Sequence, residues 1–133
     1  MHIDPEPAQI AALQALPGAA PVEMLNLIRL RDRAAYPDDS PDAGATGAQA
    51  YATYQNDIGP VFARSGGRIV WQGHPRLVLI GPDRWDIAFV ASYPSLDAFV
   101  KMLADPSYRA VAHHRRAALE DSRLIALTDT HTG

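Results

Sequence analysis

The sequence predicts an α+β domain with an antiparallel sheet and the element order βαββαβ. Two apolar segments, residues 22–30 and 85–93, are short and bounded by proline, charged or turn residues, which is typical of buried strands. Two longer segments, residues 46–66 and 95–119, carry apolar residues at helical spacing. A further strand-like run follows each helical segment, so the order is that of a ferredoxin-like domain.

Length and composition limit the classes of protein that fit. The 133 residues correspond to one domain, and 47% hydrophobic with 20% charged residues is ordinary for a globular protein. The net charge of −3 does not favour a nucleic-acid partner, and the absence of cysteine excludes disulfides and thiolate catalysis. No segment approaches the ~20 apolar residues of a membrane span, and the N-terminus lacks a secretory pattern. We therefore expect a cytoplasmic protein with no membrane partner.

The N-terminal residues 1–20 are predicted to form a helical extension that precedes the domain. A short amphipathic helix is expected over residues 5–16, and Pro17-Gly18 should end it. The domain itself is expected to span residues 21–128. Residues 129–133 are expected to be a frayed tail.

The first strand, residues 22–30, leads into a predicted loop and the first helix. Residues 32–46 are rich in Pro, Asp, Gly and Ala, which favours a loop. Thr46 and Gln49 form the pattern of a capping box, which predicts a helix start. Gly59-Pro60 should kink or break this helix before it ends near residue 66.

The middle of the chain predicts the second and third strands. RIVWQG, residues 68–73, alternates between apolar and polar residues as a strand does. His74-Pro75 interrupts the pattern, and RLVLI, residues 76–80, resumes it. We predict either one long strand bent at residues 73–75 or two short strands. A turn then leads to the apolar strand at residues 85–93.

The second helical segment is predicted to consist of two pieces. Ser95 can cap the first piece, because its hydroxyl can accept from a free backbone N–H group. The inward stripe of this piece consists of Leu96, Phe99, Val100 and Leu103. Asp105-Pro106 should end it and start a second piece that continues to about residue 119, before the last strand at residues 122–127.

The apolar strands predict a homodimer. Residues 22–30 and 85–93 occupy the central strands of a ferredoxin-like sheet, and both are apolar on two sides. Two helices can cover one face of a four-stranded sheet, so the other face needs a different cover. An identical sheet from a second subunit, in an isologous dimer, is the simplest cover.

Five segments of the sequence resemble a family of small proteins. They are EMLNLIRLRD, GAQAYATY, ARSGGRIVWQG, WDIAFVASYPS and DPSYRAVAHHRRAAL. Their order and spacing over about residues 22–127 are similar to those of domain-of-unknown-function family 1330, in the dimeric α/β-barrel superfamily. The resemblance implies a ferredoxin-like subunit that pairs sheet to sheet. It implies no particular reaction, because related proteins include cofactor-free monooxygenases, isomerases, haem proteins and ligand-sensing modules.

The run AHHRRAAL contains one charged residue, Arg115, on the apolar side of a predicted helix. On a helical wheel, Arg115 lies among apolar residues, so its charge needs a carboxylate, an anion or water. A structural ion pair or a snorkelling stem is the simplest interpretation, and a ligand carboxylate held by the guanidinium is the alternative. His113 points almost opposite and His114 lies on a flank, so both are expected at the solvated face or its edge. His114 is retained as a candidate for proton transfer.

Four further residues are candidates for a site. Asn26 lies in a central strand, where its amide needs a hydrogen-bonding partner within the protein or in a ligand. Tyr54 is expected to face the sheet, as core packing or as a pocket residue. Trp71 is expected in the core, the dimer interface or the pocket. His74 lies at the strand bend, where a histidine is usually solvated but can also move a proton.

These residues support three hypotheses. The first is an enzyme without metal or organic cofactor, with a pocket lined by Tyr54, Trp71 and Phe89. Asn26 and Arg115 would orient a small anionic or carbonyl-bearing molecule, and His74 or His114 would move a proton. The second is a non-catalytic ligand-binding or sensor dimer, and the third is a structural dimer. No spacing of His, Asp or Glu predicts a metal site, and haem binding stays open because spacing alone identifies no axial histidine.

Overall fold

A computed structural model describes residues 2–128 as one four-stranded antiparallel sheet with helices packed on one face. The strands are β1 (Val22–Leu30), β2 (Arg68–Gly73), β3 (Ile87–Tyr93) and β4 (Leu119–Leu127). The helices are α1 (Pro7–Gln14), α2 (Gly47–Asp57), α3 (Gly59–Arg64), α4 (Leu96–Ala104) and α5 (Pro106–Ala118). The α+β class and the βαββαβ order of the domain are confirmed, and the predicted tail at residues 129–133 lies outside the described residues.

The sheet has the strand order β2-β3-β1-β4, so β1 and β3 are central, as the sequence predicted. In this register Asn26 of β1 lies beside Phe89 of β3 and Leu124 of β4. Alternate residues of a strand point to opposite faces, so these three side chains share one face. That face is covered by helices and is called the covered face below.

The helix starts and the helix break that the sequence predicted are present in the structure. The Thr46 hydroxyl accepts from the Gln49 amide, and the Gln49 side chain accepts from the Thr46 amide, so the capping box is complete. The predicted break falls at Ile58, between α2 and α3. Ser95 caps α4 by accepting from the Ala98 amide at 3.0 Å. A Cβ at Gly47 would collide with the Arg31 carbonyl oxygen, so only glycine lets α2 start this close to the chain after β1.

The apolar core lies between the covered face and the helices in two clusters. One cluster surrounds Ile28 and Leu119, which are almost completely buried. The other surrounds Met24, Ala91 and Phe99, where β1, β3 and α4 meet. Between the two clusters the packing leaves a cavity, described in the next subsection.

The predicted strand at residues 76–80 is wrong. β2 ends at Gly73, and residues 74–86 form no strand. The alternation in RLVLI is real, but strand assignment requires a hydrogen-bonding neighbour, and no other described strand lies beside this segment. Its apolar side chains are largely exposed, and Leu79 and Ile80 are 85% and 94% exposed.

The second face of the sheet, called the open face below, is apolar over much of its area. By strand alternation it carries the side chains of Leu25, Leu27, Trp71, Val90, Ile125 and Leu127. Trp71 and Ile125 are 55% and 44% exposed.

Among the described helices, none is long and apolar enough to cross a bilayer.

Candidate functional site

A cavity of about 350 Å³ lies between the covered face and the helices. Its floor comes from the sheet, with side chains from all four strands that include Met24, Asn26, Ile69, Phe89 and Leu124. Its walls come from α2, α3, α4 and α5.

Tyrosines supply most of the polar atoms in the wall. Tyr51 and Tyr54 of α2, Tyr93 of β3 and Tyr108 of α5 all line the cavity. The Tyr54 hydroxyl donates to the Tyr108 hydroxyl at 3.4 Å, and the two rings meet edge to face. The ring centroids of Tyr51 and Tyr54 are 5.6 Å apart. The phenols of Tyr51, Tyr54 and Tyr108 therefore form a connected group in the cavity wall.

Burial raises the pKa of three of these phenols, those of Tyr51, Tyr54 and Tyr93. It raises the pKa of Tyr54 far above its ordinary value, and the neighbouring Tyr108 hydroxyl raises it further. Burial also raises the pKa of Tyr51 to about 12, although the positive charge of Arg115 acts in the opposite direction. The pKa of Tyr93 is raised by burial as well. At neutral pH these groups are neutral hydrogen-bond donors and not bases.

Arg115 places a positive charge at the cavity wall, on the apolar side of α5 where the sequence positioned it. Its side chain is 13% exposed, and its Nη1 donates to the Ile3 carbonyl at 2.6 Å. The same nitrogen lies 3.6 Å from a carboxylate oxygen of Asp4. Within residues 2–128, Nε and Nη2 of this guanidinium make no hydrogen bond, so part of its donor capacity faces no protein acceptor.

The N-terminal segment helps to line this cavity. We call residues 2–20 the N-terminal strap, and its residues Asp4, Pro5 and Ile10 line the cavity beside Arg115. One end is fixed at β4, where the His2 amide donates to Asp121 and the Ser122 hydroxyl donates to the His2 carbonyl. The other end is fixed at α4, where the backbone amides of residues 96 and 97 donate to the carbonyls of residues 20 and 18. The middle of the strap, including α1, has no buried residue.

Asn26 contributes an amide to the cavity floor. Its Nδ2 donates to the Met24 carbonyl at 3.1 Å, a bond within its own strand. Its Oδ1 accepts no hydrogen bond from the described part of the chain. The structure therefore brings Asn26, Tyr54, Phe89 and Arg115 to one cavity.

Trp71 and His74 lie away from this cavity. Trp71 pairs with Val90 of β3, which directs its ring to the open face. His74 follows the end of β2, where its Nδ1 lies 3.2 Å from the Asp86 carbonyl oxygen. It borders a separate, open groove that it shares with Arg84 and Asp86. Neither residue lines the cavity that Arg115 borders.

His114 is buried, which contradicts the expectation that it lies at the solvated face or its edge. It is 8% exposed, and its Nδ1 lies 2.6 Å from the Tyr36 hydroxyl. Its Nε2 lies 3.9 Å from a carboxylate oxygen of Asp57. The wheel could not predict this burial because Tyr36 belongs to the loop at residues 32–46, which folds back over α5. His114 does not line the cavity.

Sequence reasoning missed several residues of the cavity. Tyr51, Tyr93 and Tyr108 were not among the predicted site residues. One available signal was that Tyr51 and Tyr108 occur among apolar residues at helical spacing, because a phenol hydroxyl needs a polar partner when it is buried. No sequence pattern identified Asp4 as a cavity residue. It precedes the predicted N-terminal helix, and the sequence does not show that this segment contacts Arg115 of α5. Across residues 2–128, no group of three or more His, Cys, Asp or Glu side chains is arranged to hold a metal ion.

Solved structures similar to this chain include two of one protein of unknown function from Rhodopseudomonas palustris. The first is 54% identical, covers 96% of each chain and has a TM-score of 0.89. The second, of the methylated protein, is 52% identical, covers 99% of this chain and 97% of the other, and has a TM-score of 0.92. Similarity this high over nearly the whole chain extends to the N-terminal strap.

A more distant structure is that of SnoaB, a cofactor-independent oxygenase from Streptomyces nogalater. It is 19% identical, covers 86% of this chain and 100% of the other, and has a TM-score of 0.52. At this identity the likeness shows a shared fold and nothing about activity. No curated protein matches the sequence significantly.

The family described as "Domain of unknown function (DUF1330)" matches residues 43–128, which is more than half of the chain. This match starts well after residue 22, where the resemblance in the sequence was expected to start. The chain belongs to the DUF1330 family.

Proposed function

We propose that the cavity binds one small molecule with an apolar body and a carbonyl or carboxylate group. The observation that carries this proposal is Arg115, a charged side chain that lines an otherwise largely apolar cavity and keeps donors without a protein acceptor. A guanidinium in such a wall is a strong and directional partner for a carboxylate. A volume of about 350 Å³ is within the usual range for small-ligand pockets.

The remaining polar groups of the wall match an oxygen-rich ligand. The protonated phenol of Tyr51 and the hydroxyl of Tyr108, which accepts from Tyr54, can donate hydrogen bonds, and the Asn26 amide adds a group on the opposite, sheet side. Asp4 is the one carboxylate in the lining, and it is paired with Arg115 and half exposed. Donors therefore outnumber charged acceptors, which favours a ligand that supplies acceptor oxygens.

We favour binding without catalysis because the one carboxylate among the lining residues, Asp4, is paired with Arg115. Within residues 2–128 no histidine lines the cavity, so His74 and His114 do not contact a molecule bound there. A cofactor-independent enzyme acting on a carbonyl compound is the second candidate, because the Tyr54–Tyr108 pair can donate to a carbonyl oxygen that gains negative charge. Similarity in fold to a cofactor-independent oxygenase is analogy and carries no weight for the reaction.

We further propose that the protein works as a homodimer with the open face at the interface. Leu25, Trp71, Val90 and Ile125 form an apolar area on that face of the central sheet. Exposed apolar patches of this kind mark interaction surfaces in soluble proteins. A second identical sheet offers a surface of the same shape and chemistry, which is what an isologous interface needs.

The ligand proposal is tested with matched probes. Benzoate and 2-naphthoate are titrated into the protein, and benzyl alcohol and 2-naphthalenemethanol serve as neutral partners of similar size. We expect Arg115→Leu to weaken carboxylate binding about tenfold or more, because a charged hydrogen bond is lost. Binding of the neutral probes should change little. Dissociation constants from calorimetry or NMR titration give the comparison.

The matched control is Arg109→Leu, which removes an exposed arginine from the same helix and lies outside the cavity lining. Thermal melts of both variants separate a lost ligand contact from a loss of folding, and Arg115→Lys keeps the charge without the planar guanidinium. If neither carboxylate binds the wild type, and Arg115→Leu leaves stability unchanged, the proposed site has no basis.

A further inference from the structure

The floor of the cavity presents an acceptor oxygen to which the protein supplies no donor. Asn26 of the central strand β1 lines the cavity, and its Nδ2 donates to the Met24 carbonyl at 3.1 Å. A carbonyl only accepts, so this contact fixes which end of the amide is the nitrogen. Within residues 2–128 no group donates to Oδ1 of Asn26, and this oxygen keeps some accessible surface. It can therefore accept from a bound molecule.

Asn26 differs from Gln55 and Gln72, the other carboxamides that the described residues place in the lining. Both glutamines are exposed, so water can satisfy them when a ligand is bound, whereas Asn26 is partly buried in the middle of the sheet. A ligand that fills the cavity displaces water from Oδ1 of Asn26. An acceptor left without a donor in such a place costs free energy. The cavity should therefore bind molecules that bring a donor better than analogues that lack one.

Phe89 determines where that donor has to lie. It stands directly opposite Asn26 in the antiparallel pair of β1 and β3, and both side chains point to the covered face. Opposite residues of such a pair have Cβ atoms about 5 Å apart. A flat ring that packs on the Phe89 ring therefore has one edge near the Asn26 amide. A hydroxyl on that edge lies within reach of Oδ1.

The remaining lining favours an aromatic body for the ligand. Seven of the side chains that the described residues contribute to the lining are aromatic, and they come from both the sheet and the helices. Aromatic rings in offset or edge-to-face contact gain more than burial alone provides. Arg115 of α5 and Tyr51 of α2 offer donors to an acid group from the helix layer. The cavity thus has donors in its helix layer and an available acceptor in its sheet.

We propose that the ligand of this cavity is an aromatic acid with a ring hydroxyl, and that this hydroxyl donates to Oδ1 of Asn26. The proposal rests on the function proposed above, since it keeps the carboxylate at Arg115, and it adds the class of molecule. The carboxylate is held in the helix layer, the ring packs on Phe89, and the hydroxyl reaches the sheet. Asn26 then selects hydroxylated acids against their unsubstituted analogues.

Positional isomers of one probe test the contact with Asn26. The protein is titrated with 2-naphthoate, with its 5-, 6- and 7-hydroxy derivatives, and with the corresponding methoxy derivatives, which cannot donate. We expect at least one hydroxy isomer to bind about five- to tenfold tighter than 2-naphthoate, which is the effect of one added neutral hydrogen bond. The methoxy derivative of the same position should show no such gain. In Asn26→Leu, the hydroxy isomer and 2-naphthoate should bind alike.

The matched control is Asn56→Leu. Asn56 is the other asparagine of the chain, is exposed on α2 and lies outside the cavity lining. This variant should keep the preference of the wild type for the hydroxy isomer. Thermal melts check the folding of both variants, and Asn26→Val replaces Asn26→Leu if the leucine is not accommodated. The comparison of hydroxy and methoxy isomers on the wild type decides the question without any variant.

The outcomes separate this proposal from the one on which it rests. If 2-naphthoate binds through Arg115 but no hydroxy isomer binds more tightly, the proposed function stands and the hydroxyl contact is overturned. A preference for the hydroxy isomer that survives in Asn26→Leu, or that the methoxy isomer shares, also overturns the contact. If none of the carboxylates binds, the proposed function fails and this class of ligand fails with it.

Discussion

The two faces of the sheet in this molecule have the same strands and opposite environments. On the covered face Ile28 is 1% exposed, while on the open face Ile125 is 44% exposed. Both belong to apolar strands, so apolarity alone does not distinguish them. One subunit therefore contains enough helix to bury one face, and the apolar composition of the second face is the reason that we propose a second copy as its cover.

The faces differ in chemistry as well as in burial. The covered face encloses a cavity with phenols, an amide and one guanidinium. The open face is apolar at one end and charged at the other, where Arg29, Asp121 and Arg123 form ion pairs around Trp85. This contrast is why we propose a small ligand for the covered face and a second subunit for the open face.

The strongest test of this contrast compares one isoleucine on each face. Ile28→Ala should cost about 3 kcal/mol of unfolding free energy, because it leaves a cavity in a closed core. Ile125→Ala should cost less than about 1 kcal/mol in a dilute single subunit, where the side chain is already half in water. Urea denaturation at low protein concentration measures both values.

Repeating the two unfolding measurements at several protein concentrations gives a further test of the difference between the two faces. If a second copy covers the open face, the cost of Ile125→Ala should grow with concentration, while the cost of Ile28→Ala stays constant. A small cost for Ile28→Ala at every concentration would contradict the assignment of the covered face as the core.

A second test uses the charged end of the open face. Burial alone would raise the pKa of Asp121, but hydrogen bonds from the His2 amide, Arg123 and the Ser122 amide outweigh it and lower the pKa to about 2. The folded pKa is thus below the ordinary value of 3.8, so the stabilisation is present above about pH 4 and is lost as the pH falls towards 2. We expect Asp121→Asn to cost roughly 1–2 kcal/mol at neutral pH.

The measurement is thermal stability from pH 6 down to pH 2 for both proteins. The wild type should lose its advantage over Asp121→Asn through the lower part of this range, so the two curves converge. Asp38→Asn, in an exposed loop, is the control and should follow the wild type. Parallel curves for the wild type and Asp121→Asn would show that this carboxylate does not hold the strap to β4.

The smallest expected effect concerns the covered face. Asp4 lies 3.6 Å from Arg115 and competes with a ligand carboxylate for the same guanidinium. We expect Asp4→Asn to strengthen 2-naphthoate binding about two- to fivefold, since a half-exposed pair contributes under about 1 kcal/mol. Binding of 2-naphthalenemethanol should stay the same. Weaker carboxylate binding in this variant would mean that Asp4 supports the site and does not oppose the ligand.

The local signals predicted most of the fold. The capping pair Thr46–Gln49, the cap at Ser95 and the break after α2 all act over a few residues, where the backbone alone decides the outcome. Residues 76–80 show what local signals cannot predict. Their composition is typical of a strand, but a strand also needs a hydrogen-bonding neighbour, and none lies beside them among the described strands. His114 shows it in another way, since its burial depends on Tyr36, 78 positions away in the chain.

The candidate site was predictable only in part, for the same reason. Arg115 and Asn26 stood out because each is a polar residue in an apolar pattern, and both line the cavity. Trp71 and His74 were also site candidates from the sequence, but neither lines the cavity. Whether residues meet depends on strand register and on the direction of each side chain, and a single sequence reports neither.

By itself, the sequence determined the order of the elements, the two central strands, the helix ends and the presence of a charge on an apolar helix face. These follow from periodicity and backbone preference, which act over short distances along the chain. The tertiary structure alone decided that four tyrosines and the N-terminal strap line one cavity with Arg115, that His114 is buried and that residues 76–80 have no strand partner in their own subunit. Such contacts join residues far apart in the chain, and packing in three dimensions selects them.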